Sequence, residues 1–518
     1  MIPIPGILAS PALVGWLMAI PPTVAPDAVR VASDASAYDA AATVASLHGG
    51  ILAFGVRGRD DGGINRGAVY LHALQAGSWT QVQKVTPNAP QDREEFGESV
   101  SLHGSTLVVG APSSDRDGTD AGSAWIFGSN GVNFTQIQRI TPPLPTPLSL
   151  FGCSVALDGA GGQRIAVGAR RDQVDGTAAG SVHLFRFADG VWVHEARLTA
   201  PGVVTEGDDF GQAIALHGDL LAVGTPNEDV AGANAGAVHI FRRQGSAWNH
   251  EARLLSGTPE PLGEFGCAVS LDGTTLAIGA YREDGGAVDA GRIHLFTRGP
   301  IAWEPAGVVD SPTPSAGAEF GSAVALDGTV LAVGSPQAIV GAGTQGGTAF
   351  VFRKAGANWS ALASLASTSP QAAEFTGASV ALSNRVLAVG APLRTQSSAY
   401  QGAALVVDLS ADCDNDGTPD RVALAAGAAD CNLNGIPDAC DIAQGAADAD
   451  LNGVPDTCEV VPCPADLNGS GTVNAVDLAL LIATWSDEPG STSADINGDG
   501  AINGADLGIL LSAWGACP

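Results

Sequence analysis

The residues best placed for chemistry are carboxylates at fixed spacing near the C-terminal end. Asp412, Asp430, Asp448 and Asp466 stand 18 residues apart, and Asp495 follows. Each opens a loop with oxygen-bearing side chains at alternate positions and a glycine at the sixth: Gly417, Gly435, Gly453, Gly471 and Gly500. Calcium asks for this pattern, because positions 1, 3, 5, 9 and 12 present oxygens, position 7 offers its carbonyl, and the glycine makes the sharp turn. The candidate ligands are Asp412, Asp414, Asp416 and Asp420 in the first loop, and Asp430, Asn432, Asn434, Asp438 and Asp441 in the second. Asp448, Asp450, Asn452, Asp456 and Glu459 serve the third, and Asp466, Asn468, Ser470, Thr472, Asn474 and Asp477 the fourth. Asp495, Asn497, Asp499, Ala501, Asn503 and Asp506 serve the fifth, with Thr472 and Ala501 at the carbonyl position. Magnesium suits the loops less well, since it resists dehydration and wants a stricter octahedron. Position 12 is Ala423 in the first loop and mostly Asp elsewhere, which reaches less far than Glu, so weak sites filled by millimolar calcium are expected. The competing reading is a plain run of Asp-Gly and Asn-Gly turns.

Two kinds of element hold these loops. The first three are interleaved with cysteines, and six of the eight cysteines, Cys413, Cys431, Cys440, Cys458, Cys463 and Cys517, lie in this segment, as an oxidising compartment allows. Six cysteines leave fifteen pairings open; the loop period favours Cys413 with Cys431 and Cys440 with Cys458. Helices follow the last two loops. Leu478, Leu481, Ile482 and Trp485 fall at helical spacing, Leu507, Leu510, Leu511 and Trp514 repeat that stripe 29 residues later, and a core between the two helices is expected. Elsewhere the segment has little apolar material, so metal must supply much of its folding energy.

The first three loops resemble thrombospondin type 3 repeats. The last pair, each with Asp at position 12 and a helix behind it, resembles a type I dockerin, with Cys463 and Cys517 placed to clasp its ends. The resemblance implies a module that docks to a cohesin-like or cell-surface receptor. The chain departs from that family at Ser470 in position 5, and at Ala475, Val476, Gly504 and Ala505 in positions 10 and 11, where Ser and Thr are frequent.

The larger part of the chain is a repeat. FGESVSLHG at Phe96 recurs as FGCSVALDG at Phe151, FGQAIALHG at Phe210, FGCAVSLDG at Phe265 and FGSAVALDG at Phe320, with a stretched copy at Phe375 and an eroded one at Ala41. Seven units run from about Val29 to Leu409, each reading as four short strands parted by Gly, Asn and Asp turns, which fits the blades of a β-propeller. The last unit shows only three strands, and DAVRV before the first would complete it and close the ring, leaving no open sheet edge. The FG opening with a later GAP, as at Phe96, Gly97 and Gly110, Ala111, Pro112, resembles the FG-GAP repeats of the integrin alpha-subunit propeller. That resemblance implies a ligand-presenting loop face and, in some turns after GAP, calcium. Asp115, Asp117, Asp120, Asp172 and Asp175 are the candidates for such weak sites, against the simpler reading of wet acidic turns.

Catalytic chemistry is not expected in the ring. His48, His103 and His217 share one repeat position, His183, His239 and His294 a second, and His194 and His250 a third, as scaffold residues do, while only His72 is off pattern. Cys153 and Cys267 share the position after FG and read as small buried thiols. The net charge of −30 with two lysines excludes electrostatic attraction to nucleic acid or anionic lipid. The first 25 residues are apolar, as in a secretion signal, although they lack a basic start; no other stretch is long and apolar enough to span a membrane. The expected organisation is mainly β: a signal-like segment (1–25), a seven-bladed propeller (26–410), a calcium-binding linker (411–460) and a dockerin-like domain (461–518). The expected role is that of a secreted, non-catalytic calcium-binding protein presenting its propeller to a protein or glycan ligand, in the manner of an adhesion protein. A propeller enzyme acting on polysaccharide and a structural envelope component are the alternatives.

Overall fold

The computed structural model describes residues 20–131, 133–158, 163–202, 204–340, 344–367, 369–414, 416–448, 452–458, 463–485 and 494–516. Residues 1–19, which carry most of the expected signal segment, lie outside them, as do Asp450, Glu459 and Cys517. The chain divides into two compact units, Met1–Asp412 with Gly417–Ala426 and Cys413–Asp416 with Gly427–Pro518.

The first unit is the seven-bladed ring, and every blade is a four-stranded antiparallel meander. Blade 1 runs Ala45–His48, Ile51–Val56, Ala68–Gln75 and Ser78–Val85, and blades 2 to 6 repeat that order to Leu365. Blade 7 takes Ser379–Ser383, Val386–Ala391 and Ala403–Asp408 from its own unit, and Ala28–Arg30 joins as the fourth strand, as the missing strand required. Upstream, Thr23–Val24 adds a short parallel strand to the outside of blade 6. The first strand of each blade lies beside those of its neighbours, and blade 7 meets blade 1 in the same way. The fourth-strand tryptophans Trp79, Trp192, Trp248 and Trp303 are buried at the blade flanks, where the sheets splay and need larger wedges.

The repeated phrase has a steric cause. A Cβ on Gly224, the glycine of GAP in blade 4, would lie 2.0 Å from the carbonyl oxygen of Gly266, the glycine of FG in blade 5. The same approach recurs at every junction, from Gly55 against Gly97 (1.9 Å) to Gly390 against Ala42 (1.9 Å) at the ring's closure. Beside it the FG phenylalanine is fully buried and meets a third-strand phenylalanine edge-on, as Phe210 meets Phe241 with ring centroids 6.1 Å apart. In the seventh unit the phenylalanine position belongs to Thr376, whose bridge to Gly347 matches that of Phe265 to Gly236, and not to Phe375. One inserted residue shifts the phrase there.

The propeller unit also extends beyond the expected boundary at 410. Helix α1 (Asp420–Ala425) belongs to it, with Val422 buried among Val24, Leu365 and Leu409. The second unit holds helices α2 (Asp438–Ala443), α3 (Ala475–Ala483) and α4 (Gly504–Ser512).

Gly224→Ala is expected to destabilise the ring by about 3 kcal/mol or more, because backbone rather than a flexible side chain occupies the methyl's place. Urea denaturation followed by near-UV circular dichroism measures this; a loss below about 1 kcal/mol contradicts the steric account.

Candidate functional site

The acidic loops are built by their first residue. In the second loop Asp430 accepts from the backbone N–H of Asn434 (3.1 Å) and of Gly435 (3.0 Å). Asp448 does the same for Asn452 and Gly453, Asp466 for Ser470 and Gly471, and Asp495 for Asp499 and Gly500. In the first loop Asp412 accepts from Gly417 (3.1 Å), and Asp414 from Asp416 (3.1 Å). The glycines at position 6 have positive φ, +84° at Gly435 and +79° at Gly471, which is why no other residue type stands there. In the second loop the amides of Asn432 and Asn434 both donate to Asp441 (2.8 and 3.0 Å), so positions 3, 5 and 12 converge.

In the last two loops position 12 has a further task. Asp477 and Asp506 are fully buried at the third residue of α3 and α4 and complete a capping box with Asn474 and Asn503 at position 9. Asp477 accepts from Asn474 N–H (2.9 Å) and Asn468 N–H (3.1 Å), and Asp506 from Asn503 (2.9 Å) and Ile496 (2.9 Å). Burial alone would raise both acids, but these backbone donors outweigh it and hold them below the usual carboxylate range. Both stay ionised, as metal ligands must.

The two terminal units repeat one another at an offset of 29. Ala465, Val473 and Leu481 from the first pack with Ala494, Ile502 and Leu510 from the second in one small core. Thr472–Val473 pairs with Gly515–Ala516 as a two-stranded ribbon. The expected core stripe is only half right. Leu481 and Leu510 are buried and Leu478 and Leu507 partly so, but Ile482, Trp485, Leu511 and Trp514 are 57, 44, 51 and 49% exposed. They form matching apolar faces on the outside, and Ala475, Val476, Gly504 and Ala505 are exposed as well. Val473 and Ile502, at position 8 of their loops, were the core residues that helical spacing did not single out; the first three loops carry Pro419, Pro437 and Pro455 there.

The cysteine pairing differs from the expected one. Cys413 is bonded to Cys440 and Cys431 to Cys458, each across 27 residues with Cα atoms 5.8 Å apart. Cysteines at one position of successive repeats sit a full repeat apart, whereas position 2 of one loop meets position 11 of the next. Cys431 also donates its N–H to Asp438 (2.9 Å), which holds the loop's entrance against the start of α2. Cys463 is disulfide-bonded too, while its expected partner Cys517 lies outside the described residues.

In the propeller the candidate metal residues do not gather among the described residues. Asp115 accepts from Asp120 N–H (2.8 Å), Asp117 is paired with Arg139 (2.6 Å), and Asp175 sits in a turn at φ +50°. Asp172 is buried and accepts from Thr146, Ser181, Arg197 and its neighbour Gln173, all within 3.0 Å. Its position, four after the GAP glycine, is Glu228 in blade 4 and Glu283 in blade 5, where each carboxylate meets the third-strand histidine (His239 and His294, both 2.7 Å). His183 and His239 are linked in turn to His194 (3.1 Å) and His250 (3.2 Å). At the first-strand turn, His48 meets His103 at a tilt of 48° with centroids 4.1 Å apart, while His217 stands 3.9 Å from Asp272. Cys153 and Cys267 are free thiols, and burial pushes Cys267 up to about 12, far from a reactive thiolate.

Comparison with known families agrees with this geometry. Residues 79–127, 134–185, 192–241 and 248–296 match the FG-GAP repeat, and residues 464–512 match the dockerin type I domain. The chain therefore carries four recognisable FG-GAP repeats within its propeller and a type I dockerin domain behind it. No curated protein matches the chain. Dockerins are cohesin-binding modules, typically of extracellular or cell-surface proteins. Among the described residues, no helix is long and apolar enough to cross a membrane.

His72 gives a prediction about acid. It is buried beside Phe54, and burial, with Arg30 nearby, pushes it down to about 4. Below about pH 6.5 the unfolded chain takes up a proton that the folded blade refuses until about pH 4. Its stabilising effect is thus complete above 6.5 and lost as pH falls, by at most about 1.4 kcal/mol per pH unit. His72→Leu should flatten that part of the profile between neutral pH and about pH 5 in urea denaturation; an unchanged slope contradicts the assignment.

Proposed function

We propose that the protein is a secreted, non-catalytic, calcium-binding docking protein. Its terminal dockerin binds a cohesin-like partner, and its propeller presents loops to a protein or glycan ligand. The observation that carries this reading is the paired terminal unit. Two loops with calcium-type spacing share one core, and each is followed by a helix that turns apolar side chains outward, with an exposed tryptophan just past its end. Exposed aromatic side chains held at the ends of packed helices are what a docking interface uses as anchors. The acidic groups of the C-terminal segment supply the oxygen donors calcium prefers, and the three proline-bearing loops, similar to thrombospondin type 3 repeats, act as its stiffened connector. Calcium would be held by the alternate loop oxygens and by Asp477 and Asp506; when bound it neutralises the carboxylates that otherwise repel one another. The chain's own residues do the rest: backbone N–H groups orient the first aspartate, the glycines turn the loop, and α3 and α4 display the docking faces. The non-catalytic reading is supported by thiols that burial keeps protonated and by histidines committed to partners inside the blades.

Immobilised full-length protein should capture a cohesin module in millimolar calcium and release it on chelation. Trp485→Asp combined with Trp514→Asp should weaken capture by at least about a hundredfold while leaving the helical signal intact. Capture that survives both chelation and the double substitution would contradict the reading.

A further inference from the structure

The ring closes on very little hydrogen bonding. Blade 7 is completed by three residues, with Ala28, Val29 and Arg30 opposite Val406, Leu405 and Ala404. The two residues Thr23 and Val24 hold to blade 6 opposite Ser364 and Leu365. Strands this short make few ladder bonds and are marginal alone. Val24 is nevertheless 2% exposed, and the residue that covers it comes from the other end of the propeller unit.

That residue is Val422 of α1, itself 2% exposed and clustered with Val24, Leu365, Val407 and Leu409. Its neighbour Arg421 is ion-paired with Asp27 and donates to the carbonyl of Ala25 (3.4 Å). Asp27 stands between the two short strands, donates its N–H to Val406 (2.8 Å) and accepts from Asp408 N–H (2.6 Å). The helix start is fixed as well. Asp420 donates its N–H to Ala411 (2.9 Å), and Gly417 lies so close to Arg353 that a Cβ would stand 2.1 Å from Nη1. A helix of six residues without a side-chain cap does not hold by itself. Its order comes from docking on the ring.

We propose that α1 is the clasp of the propeller: a helix from beyond the last strand that keeps both N-terminal strands seated in their blades. The inference needs no metal and goes beyond the docking function. The first residue of the clasp, Asp420, is also position 9 of the first acidic loop.

Hydrogen exchange of the full chain, read by mass spectrometry, tests it. With Val422→Asp, peptides over residues 20–31 and 403–409 should exchange roughly tenfold faster or more, while peptides of blades 2 to 4 stay as slow as in the parent. Arg421→Ala, a change at a partly exposed side chain, should give the same pattern to a smaller extent and decides the matter if Val422→Asp does not fold. Unchanged exchange over 20–31 with loss of protection confined to 418–426 would overturn the proposal, because the helix would then ride on the ring without holding it.

Discussion

At each junction of the propeller, the glycine of GAP in one blade lies against the carbonyl oxygen of the FG glycine in the next, with no room for a methyl group. This contact sets how closely the blades approach at the hub, and with it the splay that larger residues fill further out. It accounts for the persistence of the GAP glycine, whose Cβ position is taken by a backbone oxygen of the next blade. Where the contact tolerates more, the phrase erodes. At the closure Ala42 takes the FG glycine's place, since only its backbone oxygen is needed against Gly390. The GAP glycine itself is kept in all seven blades.

The C-terminal loops obey a different constraint, in which charge has to be organised rather than volume. The same side chains that would coordinate calcium also build the local fold. Asp466 and Asp495 gather backbone N–H groups, and Asp477 and Asp506 cap helices. An acidic loop and the helix start behind it are therefore one structure, and ordering one orders the other. The offset of 29 residues then gives two equivalent inner faces, which make a core, and two equivalent outer faces, which remain apolar and exposed.

What could be read from sequence follows from how strict each contact is. The blades were legible because the glycine approach permits no substitute, and the completing N-terminal strand was legible because a three-strand unit leaves an edge. The register of the seventh unit was not, because an inserted residue left Phe375 where spacing alone would place the phrase, and Thr376 took the buried position. The disulfides were misread because an 18-residue period says which residues are equivalent, not which positions of successive loops touch. Hydrophobic spacing found the buried Leu481 and Leu510 of α3 and α4 but cannot tell core from exposed apolar surface, so Trp485 and Trp514 were placed inside. Helix α1 looked like part of the acidic tail by composition, and only Val422 among Val24, Leu365 and Leu409 shows that it belongs to the ring. The acids that meet His239 and His294 were invisible because they come from the turn after the second strand, eleven residues before the histidines of the third.

The central claim is that divalent metal, held at the regular oxygens of the acidic loops, orders the segment that follows helix α1. Calorimetric titration of chelator-stripped full-length protein with calcium, with circular dichroism recorded on the same samples, tests it most directly. The account predicts saturable heat from several sites among the five loops, together with a gain of helical signal and an unchanged propeller spectrum. No heat of binding, or a spectrum identical before and after stripping, would contradict it.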